Sequence, residues 1–197
     1  MATPVIVYLH GLNSSPASVK ARKLVAFAAT LAQPPVVHVP PLATWPSDAI
    51  ADVRSWLDAN VGAAPIAFIG SSLGGYYATW LAERYDAHAV LINPAIRPYE
   101  QLEAYLGTQR NLYSGELWQL TRAHFDDLAR FRVARITRPE RYFLLVRSGD
   151  EVLDWREAVV HYAGARQFVA AGGTHGWEDI DDELISMLRF AGCTISQ

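Results

Sequence analysis

Six short runs of β-branched and apolar residues punctuate the chain, at 5–9, 36–39, 66–69, 89–92, 142–146 and 167–170. None has the polar alternation of a strand with one wet face, so each predicts a strand covered on both sides, as in a parallel sheet. Between the runs the apolar spacing changes to the helical period. Ile50, Val53 and Leu57 share one face of one segment, and Ile180, Leu184, Leu188 and Ala191 share a face of another. Ser15 followed by Pro16 has the form of a helix start, since serine caps free N–H groups and proline tolerates the first turn. Alternation of this kind predicts right-handed βαβ crossovers and an α/β fold, a doubly wound parallel sheet of about six strands.

One stretch breaks the rhythm. Residues 97–138, between the fourth and fifth strands, read as a helical insertion carrying Tyr99, Tyr105, Tyr113, Trp118 and Phe125. Ligands of open α/β sheets bind beyond the carboxyl ends of the strands. The insertion is therefore expected to roof a site there as a lid, with Tyr105 and Trp118 contacting substrate. The plainer alternative is a set of extra helices with aromatics packed inward.

Composition narrows the class. The 197 residues are 51% hydrophobic and 19% charged, which suits one globular domain, 1–197, with a full core. A net charge of -3 gives no pull towards nucleic acid or an anionic membrane. The lone Cys193 excludes an internal disulfide and a cysteine-rich zinc site, and no cofactor or metal is expected. The first residues lack the basic segment and long apolar core of a signal peptide, and no run is long enough to span a bilayer. A cytoplasmic location is expected.

The chemistry centres on Gly70-Ser71-Ser72-Leu73-Gly74, a G-x-S-x-G pattern with a strand-like run before it and a helix-like one after. That context is what a nucleophile elbow needs: a tight turn that projects the hydroxyl, with glycines removing colliding side chains. The pattern alone would arise by chance in roughly one chain in fifteen of this length. Only Ser72 has glycine two positions away on both sides, which favours it over Ser71.

A serine hydroxyl needs a base. Of the six histidines, His88 lies at the wrong end of a strand, His161 in a helical pattern, His124 in the insertion and His38 inside a strand run. His10 and His175 follow strands at the carboxyl end. His175, in Gly172-Gly173-Thr174-His175, is the expected base on the chain order Ser, Asp, His, whereas His10-Gly11 marks an oxyanion loop. Asp150, first after the fifth strand, is the expected acid. Asp154 more naturally opens the next helix, and Glu151 reads as a solvated neighbour. The oxyanion donors would be the backbone N–H groups of Leu12 and Leu73.

Two charge clusters read as solvated faces. The acidic residues 178–183 suit the first turn of a helix better than a metal, and the arginines from 130 to 141 suit a surface better than an anionic substrate tail.

With these residues placed, the chain resembles the small YqiA-like esterases of bacteria, a compact branch of the α/β-hydrolase superfamily. The matching stretches are Tyr8-Leu9-His10-Gly11-Leu12-Asn13-Ser14-Ser15-Pro16, Gly70-Ser71-Ser72-Leu73-Gly74-Gly75-Tyr76-Tyr77-Ala78, Asn93-Pro94-Ala95-Ile96-Arg97-Pro98, Gly149-Asp150-Glu151-Val152-Leu153-Asp154 and Gly172-Gly173-Thr174-His175. The resemblance implies a reduced six-stranded sheet, cofactor-free hydrolysis of esters or thioesters, and a triad of Ser72, Asp150 and His175. Family members often carry an aromatic after that histidine motif, where this chain has Gly176-Trp177. An acyltransferase or thioesterase would use the same triad, and a binding protein could keep the fold without catalysis. The intact elbow, base and acid argue against the last.

Overall fold

The computed structural model describes residues 3–195, without the side chains of 101 and 102. Strands β1 (Val5–Leu9) and β2 (Val36–His38) flank helix α1 (Val19–Ala28), and α2 (Pro46–Asn60) leads to β3 (Ile66–Ser71). Helix α3 (Leu73–Tyr85) crosses to β4 (His88–Ile92). The chain then passes through α4 (Pro98–Gln101), the hairpin β5 (Gly107–Arg110) and β6 (Leu117–Leu120), and α5 (Arg122–Ala129). It re-enters the sheet as β7 (Tyr142–Arg147) and ends with α6 (Trp155–His161), β8 (Arg166–Ala170) and α7 (Leu184–Phe190). The six-stranded parallel sheet has the order β2-β1-β3-β4-β7-β8.

The pleat divides the core in two. Val5, Val7 and Leu9 of β1, Phe68 of β3, Leu91 of β4 and Leu144 of β7 face the layer of α2, α3 and α5. Ile6, Tyr8, Ile69, Val90 and Leu145 face the layer of α1 and α7. Each fully buried aliphatic contributes roughly 1.5–3 kcal/mol over leaving it in water. Helix α3 lies at the centre and is buried on almost every side, which its run of Gly, Tyr, Ala and Leu permits.

Three expectations need correction. The outer strands are not covered on both faces: Val36 of β2 is 59% exposed, and Phe168 and Val169 of β8 are each 42% exposed. Both are edge strands with a neighbour on one side only. The start of α1 falls three residues later than Ser15, at Ser18, whose hydroxyl accepts from the Ala21 N–H. Ser15 instead closes the preceding turn, accepting from the Ala17 N–H at 3.0 Å. The insertion is also not wholly helical. Its middle is the antiparallel hairpin β5–β6, paired from Gly107↔Leu120 to Arg110↔Leu117. Asn111 makes its turn, accepting from Tyr113 and Ser114 N–H groups, a local side-chain bond that competes with helix.

The parallel register aligns the carboxyl ends of the central strands. Leu9 pairs with Gly70, Ser71 with Ile92, and Ile92 with Leu145. The loops after β1, β3, β4 and β7 therefore converge on one edge, where a doubly wound sheet holds its ligands.

Candidate active site

Strand β3 ends at Ser71 and α3 starts at Leu73, so Ser72 makes the whole turn between them. Its φ of 55° and ψ of -121° are seldom adopted by a residue with a side chain. Such strain costs of order 1–3 kcal/mol and persists only where surroundings impose it. Here the Ser72 N–H donates to the Ile92 carbonyl at 3.0 Å, and the Ser72 carbonyl accepts from Gly75 at 2.9 Å and Ala95 at 3.1 Å. A Cβ at Gly74 would fall on the Leu9 carbonyl, and one at Gly70 on the backbone of Gly74. Glycine at both positions lets helix and strand close to contact around the serine.

The hydroxyl meets an imidazole. His175 Nε2 lies 3.0 Å from Ser72 Oγ, and His175 Nδ1 lies 2.8 Å from Asp150 Oδ2. The carboxylate takes the Nδ1 proton as partner, which leaves the Nε2 lone pair facing the serine hydroxyl. Burial alone would raise the Asp150 carboxyl. Hydrogen bonds from His175 and from the Leu153 and Val152 N–H groups outweigh it and hold the group below the usual carboxylate range. Those N–H groups reach Oδ1 at 2.8 and 2.9 Å. Asp154 caps α6, accepting from the Arg156 N–H at 3.1 Å, and takes no part in this chain of bonds.

Several supports were not assigned from sequence. Glu151, read as a solvated neighbour, accepts the His175 backbone N–H at 3.0 Å. Asn93, at φ 41°, accepts the Arg147 N–H at 2.9 Å and donates to the His175 carbonyl at 3.0 Å. One side chain thus ties the ends of β4 and β7 to the loop that carries His175. Its signals in the sequence were its place directly after a strand at the carboxyl edge and its membership of the Asn93–Pro98 stretch that carries the resemblance, neither of which gave its partners. Gly149 interlocks with this loop, because a Cβ there would strike the backbone of Gly172 and Gly173. Trp177, the aromatic beyond His175, turns away from the cleft. It is fully buried, with the Arg147 guanidinium 4.3 Å from its ring centre.

Leu73 opens α3, so helix geometry leaves its N–H without an intrahelical acceptor, beside the serine. The loop after β1 approaches from the other side. Gly11 sits so close that a Cβ on it would lie 3.2 Å from Ser72 Cβ. His10 holds this loop from below: its Nε2 accepts from the Leu42 N–H at 3.3 Å, and Nδ1 pairs with the Gly11 carbonyl at 3.0 Å. Burial lowers the His10 pKa, against the opposing Gly11 bond. With one nitrogen accepting and one donating, His10 is a neutral strut.

The hairpin is bonded to the same loop. Leu112 N–H donates to the Asn13 carbonyl at 2.8 Å, and Asn111 Nδ2 to the Ser14 carbonyl at 2.9 Å. Asn13, at φ 57°, donates from Nδ2 to Gln109 at 2.9 Å and accepts from the Trp118 indole at 2.8 Å. This bond fixes the direction of the half-buried indole. Trp118 therefore sits behind the loop, against a 50 Å³ hollow, and does not line the main cleft. Tyr105 does.

Two cavities flank Ser72. One, of 350 Å³, is walled by Leu12, Leu73, Ala95, Pro98, Tyr105 and Leu153. The other, of 200 Å³, is lined by Ser14, Ser18, Lys20 and Tyr113. Ser72 and His175 line both.

Several of the clustered charges pair with one another away from Ser72. Arg130 pairs with Asp127, Arg138 with Glu140, and Arg141 with Asp86. Asp179 pairs with Arg147 and Asp181 with Lys23. Among the described residues no group of three or more His, Cys, Asp or Glu is arranged to hold a metal, and no helix is long and apolar enough to cross a membrane.

Comparison with solved structures supports the fold. A provisionally assigned hydrolase from Agrobacterium vitis S4 matches with a TM-score of 0.71 and 19% identity, over 95% of this chain and 86% of that one. Est1E from Butyrivibrio proteoclasticus matches with a TM-score of 0.70 and 12% identity, over 96% of this chain and 87% of that one. The LipS and LipT work on metagenome-derived lipolytic enzymes supplies another, with a TM-score of 0.66 and 17% identity over 96% of this chain and 95% of that one. The α/β-hydrolase fold is common to them. Residues 5–192 also match the model of the uncharacterised protein family UPF0227. With nearly its whole length matched, this chain belongs to the UPF0227 family.

Proposed function

We propose that this protein is a serine hydrolase that cleaves carboxylic esters or acyl thioesters through an acyl-Ser72 intermediate. The observation that carries the reading is the continuous hydrogen-bond chain Asp150–His175–Ser72, ending on a serine held at positive φ. A binding protein has no use for a strained serine aligned on an imidazole and a buried carboxylate.

In this reading His175 Nε2 takes the Ser72 proton as Oγ bonds to the carbonyl carbon. The carbonyl oxygen becomes an oxyanion held by the Leu12 and Leu73 N–H groups, each such donor being worth about 3 kcal/mol. The tetrahedral centre collapses, the bond to the leaving alcohol or thiol breaks, and His175 returns the proton to it. Water then attacks the acyl-serine, giving its proton to His175. Ser72 leaves with that proton and the acid departs. Asp150 keeps Nδ1 protonated throughout and stabilises the imidazolium.

A fluorophosphonate probe tests this directly. One equivalent is expected to add to Ser72, located by peptide mass, with loss of p-nitrophenyl butyrate hydrolysis in step. A folded protein that takes no adduct, or takes it at another residue, rules the reading out.

The pocket walls give a second test. Tyr105→Ala is expected to enlarge the 350 Å³ cavity and raise the rate on long acyl chains relative to short ones by about tenfold. Trp118→Phe, which removes the bond to Asn13, should instead lower kcat alike across chain lengths. Equal length profiles for Tyr105→Ala and the parent protein would show that Tyr105 does not select substrate.

A further inference from the structure

The two cavities beside Ser72 differ in chemistry. The larger is walled mainly by aliphatic and aromatic side chains, with the uncharged amides of Asn13 and Gln109 as its polar members beside Ser72 and His175. The smaller is lined by the hydroxyl-bearing Ser14, Ser18, Ser71 and Tyr113, and by one ammonium, Lys20. Lys20 is half-buried, and its Nζ donates to the Gly176 carbonyl, directly after the base His175. An ammonium has three donors, so two remain.

No carboxylate among the described residues is within ion-pair distance of Lys20. Lys23, one turn on, pairs with Asp181, and Asp179 pairs with Arg147, so these two carboxylates of the nearby acidic run are held by other cations. Glu178 is the one carboxylate lining the cavity, and it is exposed. Burial lowers the Lys20 pKa, and the Glu178 charge acts the other way. The cavity also faces the start of α1, through Ser18 and Val19, and the first turn of that helix has no acidic residue to offset its positive end. A half-buried cation whose nearest counter-charge is an exposed carboxylate beyond ion-pair distance is only partly compensated, and a ligand anion in the cavity would complete what the chain does not.

Resting on the serine-hydrolase reading, we infer that the substrate is an ester with two unlike arms, one apolar and one ending in a carboxylate that binds Lys20. The apolar arm occupies the larger cavity and the scissile carbonyl sits at Ser72 between them. At 200 Å³ the smaller cavity has room for a short carboxylate-bearing arm.

Two matched ester pairs test this. O-butyrylglycolate against O-butyrylglycolamide places the charge on the alcohol arm, and monobutyl succinate against butyl succinamate places it on the acyl arm. The readout is the ratio of kcat/KM for the anionic ester to that for its neutral amide, which is insensitive to general damage. The unsubstituted protein is expected to favour the anion in one pair. In Lys20→Gln, which keeps a donor for Gly176, that ratio should fall roughly 10- to 100-fold, chiefly through KM. Lys20→Arg should retain most of the preference. No preference in either pair, or an equal change on both members in Lys20→Gln, overturns the inference. The outcome is separable from failure of the esterase reading. Ser72 labelling and p-nitrophenyl butyrate turnover report that reading alone, and if both fail the anionic arm falls with it. If both succeed and the ratios stay put, only the role of Lys20 is lost.

Discussion

Ser72→Ala is expected to lower ester turnover by about 10⁶-fold, leaving only the residual acceleration that oxyanion donors and binding supply. The hydroxyl makes one hydrogen bond, to His175, and the backbone bonds that hold the elbow belong to its N–H and carbonyl. Alanine is as strained as serine at φ 55°, so the folded state should be nearly unaffected and the melting temperature should stay within a few degrees. Ser71→Ala is the control, since Ser71 is the last residue of β3 and lies outside the triad. Initial rates with circular dichroism melts on the two variants decide the matter. Comparable turnover in purified Ser72→Ala would remove the nucleophile from the mechanism.

The second large effect concerns the acid. Asp150→Asn should cut kcat by about 10⁴-fold. The asparagine oxygen can still accept from the Val152 and Leu153 N–H groups, so the loop should hold its shape. Its amide nitrogen then faces His175 Nδ1, which must accept. The imidazole proton moves to Nε2 and the lone pair facing Ser72 is lost. Asp154→Asn provides the contrast. Asparagine caps nearly as well as aspartate, so that variant should lose about 1 kcal/mol of stability or less, with kcat almost unchanged. A collapse of kcat in Asp154→Asn with near-normal turnover in Asp150→Asn would reverse the assignment.

The reach of the sequence ended where local pattern ended. The six strands of the main sheet were legible to within one or two residues because buried parallel strands are short apolar runs. Edge exposure in β2 and β8 was not, since strand order is a property of the whole topology. The elbow announced itself through two glycines that only that backbone requires. The hairpin did not, because Gly107–Arg110 and Leu117–Leu120 are half-exposed and too short for a clear period. Asn93 and Asn13 act on partners roughly a hundred residues away or nearly so, with separations of 82 and 105. Spacing rules do not reach so far. The same holds for Trp118: its aromatic character was visible, but its direction was fixed by a distant acceptor.

The bonds between hairpin and first loop bear on how this scaffold can change over evolutionary time or in the laboratory. Leu112 and Asn111 join the cavity wall to the segment that presents the Leu12 N–H. On the facing wall, Val152 and Leu153 line the cleft with their side chains while their N–H groups steady Asp150. Under the proposed mechanism, selectivity and turnover therefore share a backbone. New specificity is accessible by exchanging side chains such as Tyr105, Pro98 or Val152 one at a time. Transplanting a whole loop from a relative would move the Leu12 N–H or Asp150 along with the wall, and under the proposed mechanism few such chimaeras should keep their rate.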